Sequence, residues 1–206
     1  RIVNVFTEEI IRGDIAIQDG IIAGIGSFHG KEERDLAGRY VCPGFIDSHL
    51  HLESTLVTPA ELVTVASRHG TTTFIVDPHE SANVSGLAGI DYILDQTEDV
   101  KANVYVMMPS CVPATAIDDN GCTLTAGDMA PYLHNSRILG LGEVMDSISV
   151  VQGEKSMHDK LELFEGRIRD GHAPFLEEGD LQAYAMAGIA TDHECSFFDY
   201  AMRERR

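Results

Sequence analysis

"PGFIDSHLHLES", residues 43–54, decides how the chain is read. An apolar lead, Phe45-Ile46, runs into Asp47, His49, His51 and Glu53, with a polar residue at every second position. Alternation by two puts those side chains on one face of an extended chain. Two imidazoles on one strand face can reach a single divalent cation at about 2.0–2.1 Å. Alone, an HxH pair is a weak signal, and its ordinary reading is a polar strand end. Its weight depends on what the rest of the chain brings to it.

Outward from this stretch, the pattern changes character near residues 36–40. Before it, "RIVNVF" and "GDIAIQDGIIAGIG" are rich in Ile and Val with period-two alternation, and Asp19-Gly20 between two such runs signals a hairpin. After it, short apolar runs at 40–46, 72–76, 103–108, 138–141, 167–170 and 189–191 alternate with helical patterns. Strand–helix alternation at this spacing predicts βα units and a parallel sheet. Thr58-Pro59-Ala60-Glu61 reads as a capping box, and Ser85, Thr125, Ser156 and Ser196 as further helix starts. The expected fold is α/β, with a small β domain over residues 1–39 and a (β/α) barrel over 40–206.

Acidic residues outnumber basic ones 33 to 15, for a net charge of −18. That balance repels nucleic-acid backbones and anionic membranes, and it suits a small neutral substrate or a cation. No apolar run reaches membrane-spanning length. Cys42, Cys111, Cys122 and Cys195 form no CxxC, which argues against a disulfide framework or a thiolate zinc site and fits a reducing cytoplasm. The chain opens without Met and closes inside a helix-like segment, residues 202–206, which reads as part of a longer polypeptide.

The polar residues follow the strands. Asp77, His79 and Glu80 come after the second, Ser110 to Thr115 after the third, Glu143 after the fourth, Asp170 and His172 after the fifth, and Asp192, His193 and Glu194 after the sixth. In a parallel barrel all strand C-termini emerge on one face, where such folds place their active sites. Joined there by Glu143, His172 and His193, the HxH pair becomes a candidate metal centre, because buried charges need partners or a cation. Asp47 reads either as a residue that orients a ligand histidine through its far ring nitrogen, the favoured reading, or as the cap of a turn. His29, His69, His134 and His158 read as exposed or helix-end histidines. No zincin helix, Pro-Cys-x-x-Cys deaminase motif, dinucleotide fingerprint or P-loop occurs.

"PGFIDSHLH" resembles the strand-one signature of the amidohydrolase superfamily, metal hydrolases built on a (β/α)8 barrel. With "HLHLESTLVTP", "HGTTTFIVDPHESANVSGLAGI", "MPSCVPAT", "LGLGEVM", "DGHAP" and "AGIATDHE", the resemblance narrows to its bacterial and archaeal adenine deaminases and covers nearly the whole chain. The resemblance implies a site of two divalent metals, Mn or Fe with Zn as a further candidate. His49 and His51 would hold the more buried ion and His172 and His193 the second. Glu143 would bridge them where many members carry a carboxylated Lys, and it is the leading catalytic acid–base residue. Asp47, Glu53, Asp77, His79, Glu80, Ser110, Asp192 and Glu194 are candidates for the substrate pocket or for supporting the ligands. The family's strand-eight Asp has no counterpart among these residues, so about six of eight βα units are expected, inactive by themselves. The implied reaction is hydrolytic deamination of adenine to hypoxanthine and ammonia, in purine salvage, by a cytoplasmic homo-oligomer that binds neither nucleic acid nor membrane. A dihydroorotase-like or imidazolone-hydrolysing enzyme, or a non-catalytic metal-binding barrel, are the alternatives.

Overall fold

In the computed structural model, which describes residues 1–115, 117–174 and 176–205, the chain divides into two compact units after Phe45. The first holds two antiparallel pairs. β1 (Ile2–Asn4) pairs with β2 (Glu9–Ile11), and β3 (Asp14–Gln18) with β4 (Ile21–Gly26). Asp19 and Gly20, both at positive φ, make the two-residue turn of the second hairpin. That geometry matches the right-handed strand twist, so the hairpin expected from Asp-Gly forms.

The second unit alternates strand and helix. In chain order it runs β5 (Phe45–Leu50), α1 (Pro59–Ser67), β6 (Thr71–Val76), α2 (His79–Ser85), α3 (Leu87–Gln96), β7 (Asn103–Pro109) and α4 (Ala126–Met129). Then follow β8 (Ile138–Val144), α5 (Ser147–Gln152), α6 (Lys155–Leu163), β9 (Ile168–Gly171), α7 (Glu178–Met186), β10 (Thr191–Asp192) and α8 (Phe198–Glu204). Six parallel strands form one open sheet in the order β10-β9-β8-β7-β6-β5, with each strand beside its predecessor in sequence. This is the expected α/β architecture, six consecutive βα units of a TIM-type half-barrel.

Burial explains why the central strands read so clearly. Six of seven residues in β8 and five of seven in β7 are buried, because helices cover one sheet face and the curled sheet covers the other. Ile90 and Ile93 of α3, Val150 of α5, and Met157 and Leu161 of α6 pack in the same core as Val104, Val106 and Leu141 of the sheet. Arg137, at the foot of β8, donates to the carbonyls of Val104 and Leu94 and to the Thr97 hydroxyl, which ties the end of α3 to the sheet.

The structure corrects several boundaries. The first barrel strand lies at 45–50 rather than 40–46, so Asp47 and His49 are within it. Residues 40–44 contribute only an isolated bridge at Val41. β8 runs to Val144, so Glu143 is also inside its strand. Thr58 occupies the N-cap of α1 but makes no side-chain capping hydrogen bond, and Pro59 fills the first helical position. Helix α6 starts at Lys155, one residue before Ser156, and Lys155 pairs with Asp159 at 2.6 Å instead. Gly86 and Phe197 occupy the caps expected of Ser85 and Ser196. Thr125 does form a capping box with Asp128.

Two glycines of β8 let neighbouring groups approach. A Cβ on Gly140 would overlap the carbonyl oxygen of Ile168 on β9, and one on Gly142 would overlap the Asp77 carboxylate. Backbone cannot yield as a flexible side chain can. Gly140→Ala should therefore cost about 1–3 kcal/mol in urea unfolding. Gly179→Ala, in open space in the first turn of α7, should be neutral or slightly stabilising.

Candidate metal centre

The curl of the sheet brings residues from its opposite edges together. His49 of β5 stacks on His193, just past β10, with ring centroids 3.7 Å apart. Glu143, from the middle of the sheet and 3% exposed, lies beneath them. Its Oε1 is 2.7 Å from His49 Nε2, 3.0 Å from His193 Nε2, 3.3 Å from His51 Nε2 and 4.0 Å from His172 Nδ1. Its Oε2 is 3.4 Å from His79 Nδ1. One carboxylate is thus shared among five imidazoles from β5, β6, β9 and β10 or the residues just beyond them.

Ring tautomers follow from the outer contacts. His51 Nδ1 lies 2.7 Å from the Asp77 carbonyl oxygen, which can only accept, so Nδ1 carries a proton and Nε2 is the nitrogen turned to the centre, able to offer a lone pair once it is deprotonated. His49 Nδ1 lies 3.3 Å from Asp170 Oδ2, with the same result. His172 is placed by its backbone, whose N–H donates at 3.0 Å to the Tyr184 hydroxyl, while that hydroxyl donates to the Val144 carbonyl at 2.5 Å. Tyr184 so joins the ends of β8 and β9.

The donor set fits divalent cations. His49 Nε2 and His51 Nε2 are 3.1 Å apart, and His172 Nδ1 and His193 Nε2 3.4 Å. Two donors at about 2.1 Å from one ion, separated by 90–109°, stand about 3.0–3.4 Å apart. Both oxygens of Asp77, 1% exposed, are buried without a hydrogen-bond partner among the described residues, as is His79 Nδ1. Groups able to converge on one ion include His49, His51 and Glu143, and also Glu143, His172 and His193. Glu143 belongs to both, as a bridging carboxylate must. Nitrogen and oxygen donors without thiolate suit Mn, Fe or Zn.

The remaining sequence candidates divide by what they touch. Asp77 stands 3.7 Å from His79 at the same centre, and Glu194 Oε1 is 3.7–3.8 Å from His193 and His172. Glu53 accepts the backbone N–H groups of Glu80 and Ser81 at the start of α2, and Ser54 donates to Glu80. Ser110 donates to the Glu143 carbonyl at 2.6 Å, and the buried Lys160 ammonium donates to the Ser110 carbonyl. Asp192 accepts from the backbone of Ala173 and Glu194. Asp47 corrects the expectation made for it. Among the described residues it makes no side-chain hydrogen bond, because it sits one pleat repeat, about 6.6 Å, back along β5 from His49. The carboxylate on that imidazole is Asp170, which the sequence places with His172 after the fifth strand but to which it assigns no role. Its signal was its place near the end of β9, two residues before His172, in "RDGHAP".

Residues 40–205 match the amidohydrolase family, and the chain belongs to it. Among individual relatives, the adenine deaminase of Desulfitobacterium hafniense (strain Y51) is 58% identical over 206 residues, all of this chain and 36% of that protein. Adenine deaminase 2 of Carboxydothermus hydrogenoformans is 46% identical over 205 residues, again 36% of its length. The chain therefore spans about a third of these relatives. The crystal structure of atrazine chlorohydrolase from Arthrobacter aurescens TC1, complexed with zinc, aligns with 99% of this chain and 65% of its own. The TM-score is 0.51 at 13% identity, a likeness of fold.

Charge in the metal-free centre follows its pairings. Hydrogen bonds to Asp170 and then Glu143 raise the His49 pKa to about 10, and the bond to Glu143 raises that of His51 to about 9. Burial pushes Glu143 upward, but its bonds to His49 and His51 win and hold it well below the usual carboxylate range. Raised imidazoles stabilise the metal-free fold fully below their unfolded pKa of about 6.5 and cease to do so as pH rises through 9 to 10. A cation must displace those protons. Metal affinity should accordingly rise from pH 6 to 8, and calorimetry in buffers of different ionisation enthalpy should register proton release. His49→Ala should lower bound metal per chain, read by elemental analysis of a full-length polypeptide carrying this chain.

Proposed function

We propose that the polypeptide carrying this chain hydrolyses adenine to hypoxanthine and ammonia. The observation that carries the reading is the placement of Glu143 as the common partner of histidines from four strand ends on the catalytic face of an amidohydrolase barrel. The names of the relatives above supply the substrate. A Glu in that central position favours the deaminase over the cyclic-amide hydrolases with which the superfamily's carboxylated Lys is associated.

His49, His51 and Glu143 would hold one divalent cation, and Glu143, His172 and His193 a second, with Mn or Fe the leading identities and Zn the third. Such ions supply hydroxide at neutral pH by lowering the pKa of a water from 15.7 toward about 7. The chain's own residues have three tasks. Glu143 is the leading acid–base residue, and as an anion it also keeps its imidazole partners facing inward. Attack at C6 requires a proton at ring N1 and another on the departing amine. His79 lies between the buried Asp77 and Glu143, and is the described residue best placed to hand on a proton beside the carboxylate. Next to it, His79, Glu80, Asn83, Val84, Cys111, Ala114, Asp118 and Asp119 line a cavity of about 390 Å³, which we assign to the substrate side of the site.

We further place the reaction in purine salvage and adenine catabolism, in a cytoplasmic homo-oligomer. No described helix is long and apolar enough to cross a membrane. The 206-residue chain alone is expected to be inactive, because its sheet leaves β5 and β10 as unpaired edges.

A full-length polypeptide containing this chain should release ammonia from adenine. Glu143→Gln should lower kcat by about 10²-fold or more. Turnover of dihydroorotate or an imidazolone with none of adenine would overturn the substrate assignment. Ammonia release by residues 1–206 alone would overturn the expectation of inactivity.

A further inference from the structure

Asp170 lies on β9 and presents one carboxylate to two histidines from different strands. Its Oδ2 is 3.3 Å from His49 Nδ1 and 3.7 Å from His193 Nδ1. These are the ring nitrogens that face away from Glu143, since the Nε2 atoms of both histidines approach Glu143 Oε1 at 2.7 and 3.0 Å. The two imidazoles stack, with planes 22° apart, so both Nδ1 atoms lie along one edge of the stack, that of His49 within hydrogen-bond reach of Oδ2 and that of His193 just beyond it. The other oxygen, Oδ1, accepts from Thr191 Oγ1 at 2.5 Å, which fixes the carboxylate from the neighbouring strand β10. His49 shares one candidate cation group with His51 and Glu143, and His193 another with His172 and Glu143; His49, Asp170 and His193 form a third, on the Nδ1 edge of the stack.

We propose that Asp170 is a positioning residue that fixes the tautomer and ring orientation of His49 and His193 together, and so couples the two halves of the metal centre. The alternative, direct ligation by Asp170, would need an ion on the Nδ1 edge of the stack, away from Glu143. A cation there would strand the lone-pair convergence of His49, His51 and His193 on the Glu143 side. As an anchor, Asp170 makes both imidazoles better donors and spares each a rotational search, the role carboxylates beside ligating histidines ordinarily play. Its consequence is a shared defect: weakening Asp170 should loosen both ions, whereas loss of a ligand empties one position.

The inference rests on the metal-centre reading above, and metal binding tests the two separately. In a full-length polypeptide carrying this chain, Mn²⁺ and Co²⁺ would be titrated into metal-stripped wild type, Asp170→Asn and Thr191→Val. Stoichiometry would come from elemental analysis, affinity from calorimetry, and ligand field from the Co²⁺ absorption bands. The expected result is unchanged stoichiometry at saturating metal, with both affinities about 10–100-fold weaker in Asp170→Asn. Thr191→Val, which keeps the carboxylate but frees its orientation, should show a smaller loss in the same direction with altered Co²⁺ bands. Loss of one equivalent in Asp170→Asn, at unchanged affinity for the other, would make Asp170 a ligand and overturn the proposal. Wild-type affinity and spectrum in a folded Asp170→Asn, verified by circular dichroism, would overturn it as well. Failure of the wild type to bind either ion would sink the metal-centre reading and the proposal with it.

Discussion

The arrangement depends on one buried carboxylate. Glu143 sits in the middle of the sheet, nearly sealed from solvent, and an isolated charge there would be expensive. It is affordable only because imidazoles from β5, β9 and β10 converge on it. That requirement sets the geometry around it. The sheet must curl until histidines from its two edges meet over Glu143, Gly142 must lack a side chain so that Asp77 can come alongside, and Tyr184 must hold the ends of β8 and β9 together.

Support for the centre is layered. Behind the first ring of imidazoles, backbone and side-chain acceptors fix which nitrogen faces inward: the Asp77 carbonyl for His51, and Asp170 for His49, with His193 Nδ1 3.7 Å from the same carboxylate oxygen. Behind Glu143, Ser110 holds its carbonyl and Lys160 holds Ser110. The Lys160 ammonium is buried, and burial lowers its pKa. A cation kept there for a backbone carbonyl is a sign that the position of that loop matters.

Much of this was legible in the sequence, and the unread part has physical causes. Parallel strands covered on both faces read as unbroken apolar runs, so β6, β7 and β8 were found close to where they lie. Their ends were not, because the polar residues that make the site also break the apolar pattern: β5 extends to Leu50, β8 to Val144 and β9 to Gly171. The convergence of His49, His51, Glu143, His172 and His193 followed from topology alone, since every parallel strand delivers its end to one face. Asp47 and Asp170 each lie on a strand two residues before a histidine, and period-two logic cannot separate them. Only the curl of the sheet does, by carrying β9 across to β5 while Asp47 stays a pleat behind.

The stacking of His49 on His193 joins positions 144 residues apart (193 − 49), and Glu143 lies 92 residues beyond His51 (143 − 51). Contacts of such span are slow to form, because a long loop must close before it is rewarded. During synthesis, β5 through β8 leave the ribosome before His172 and His193 exist, and at that stage the described histidines beside Glu143 are His49, His51 and His79. Completion of the ring waits for β10. The last strand of this sheet to be made is therefore also the one that settles the charge at its centre, so chain assembly and acquisition of a binding-competent site are one late, cooperative event.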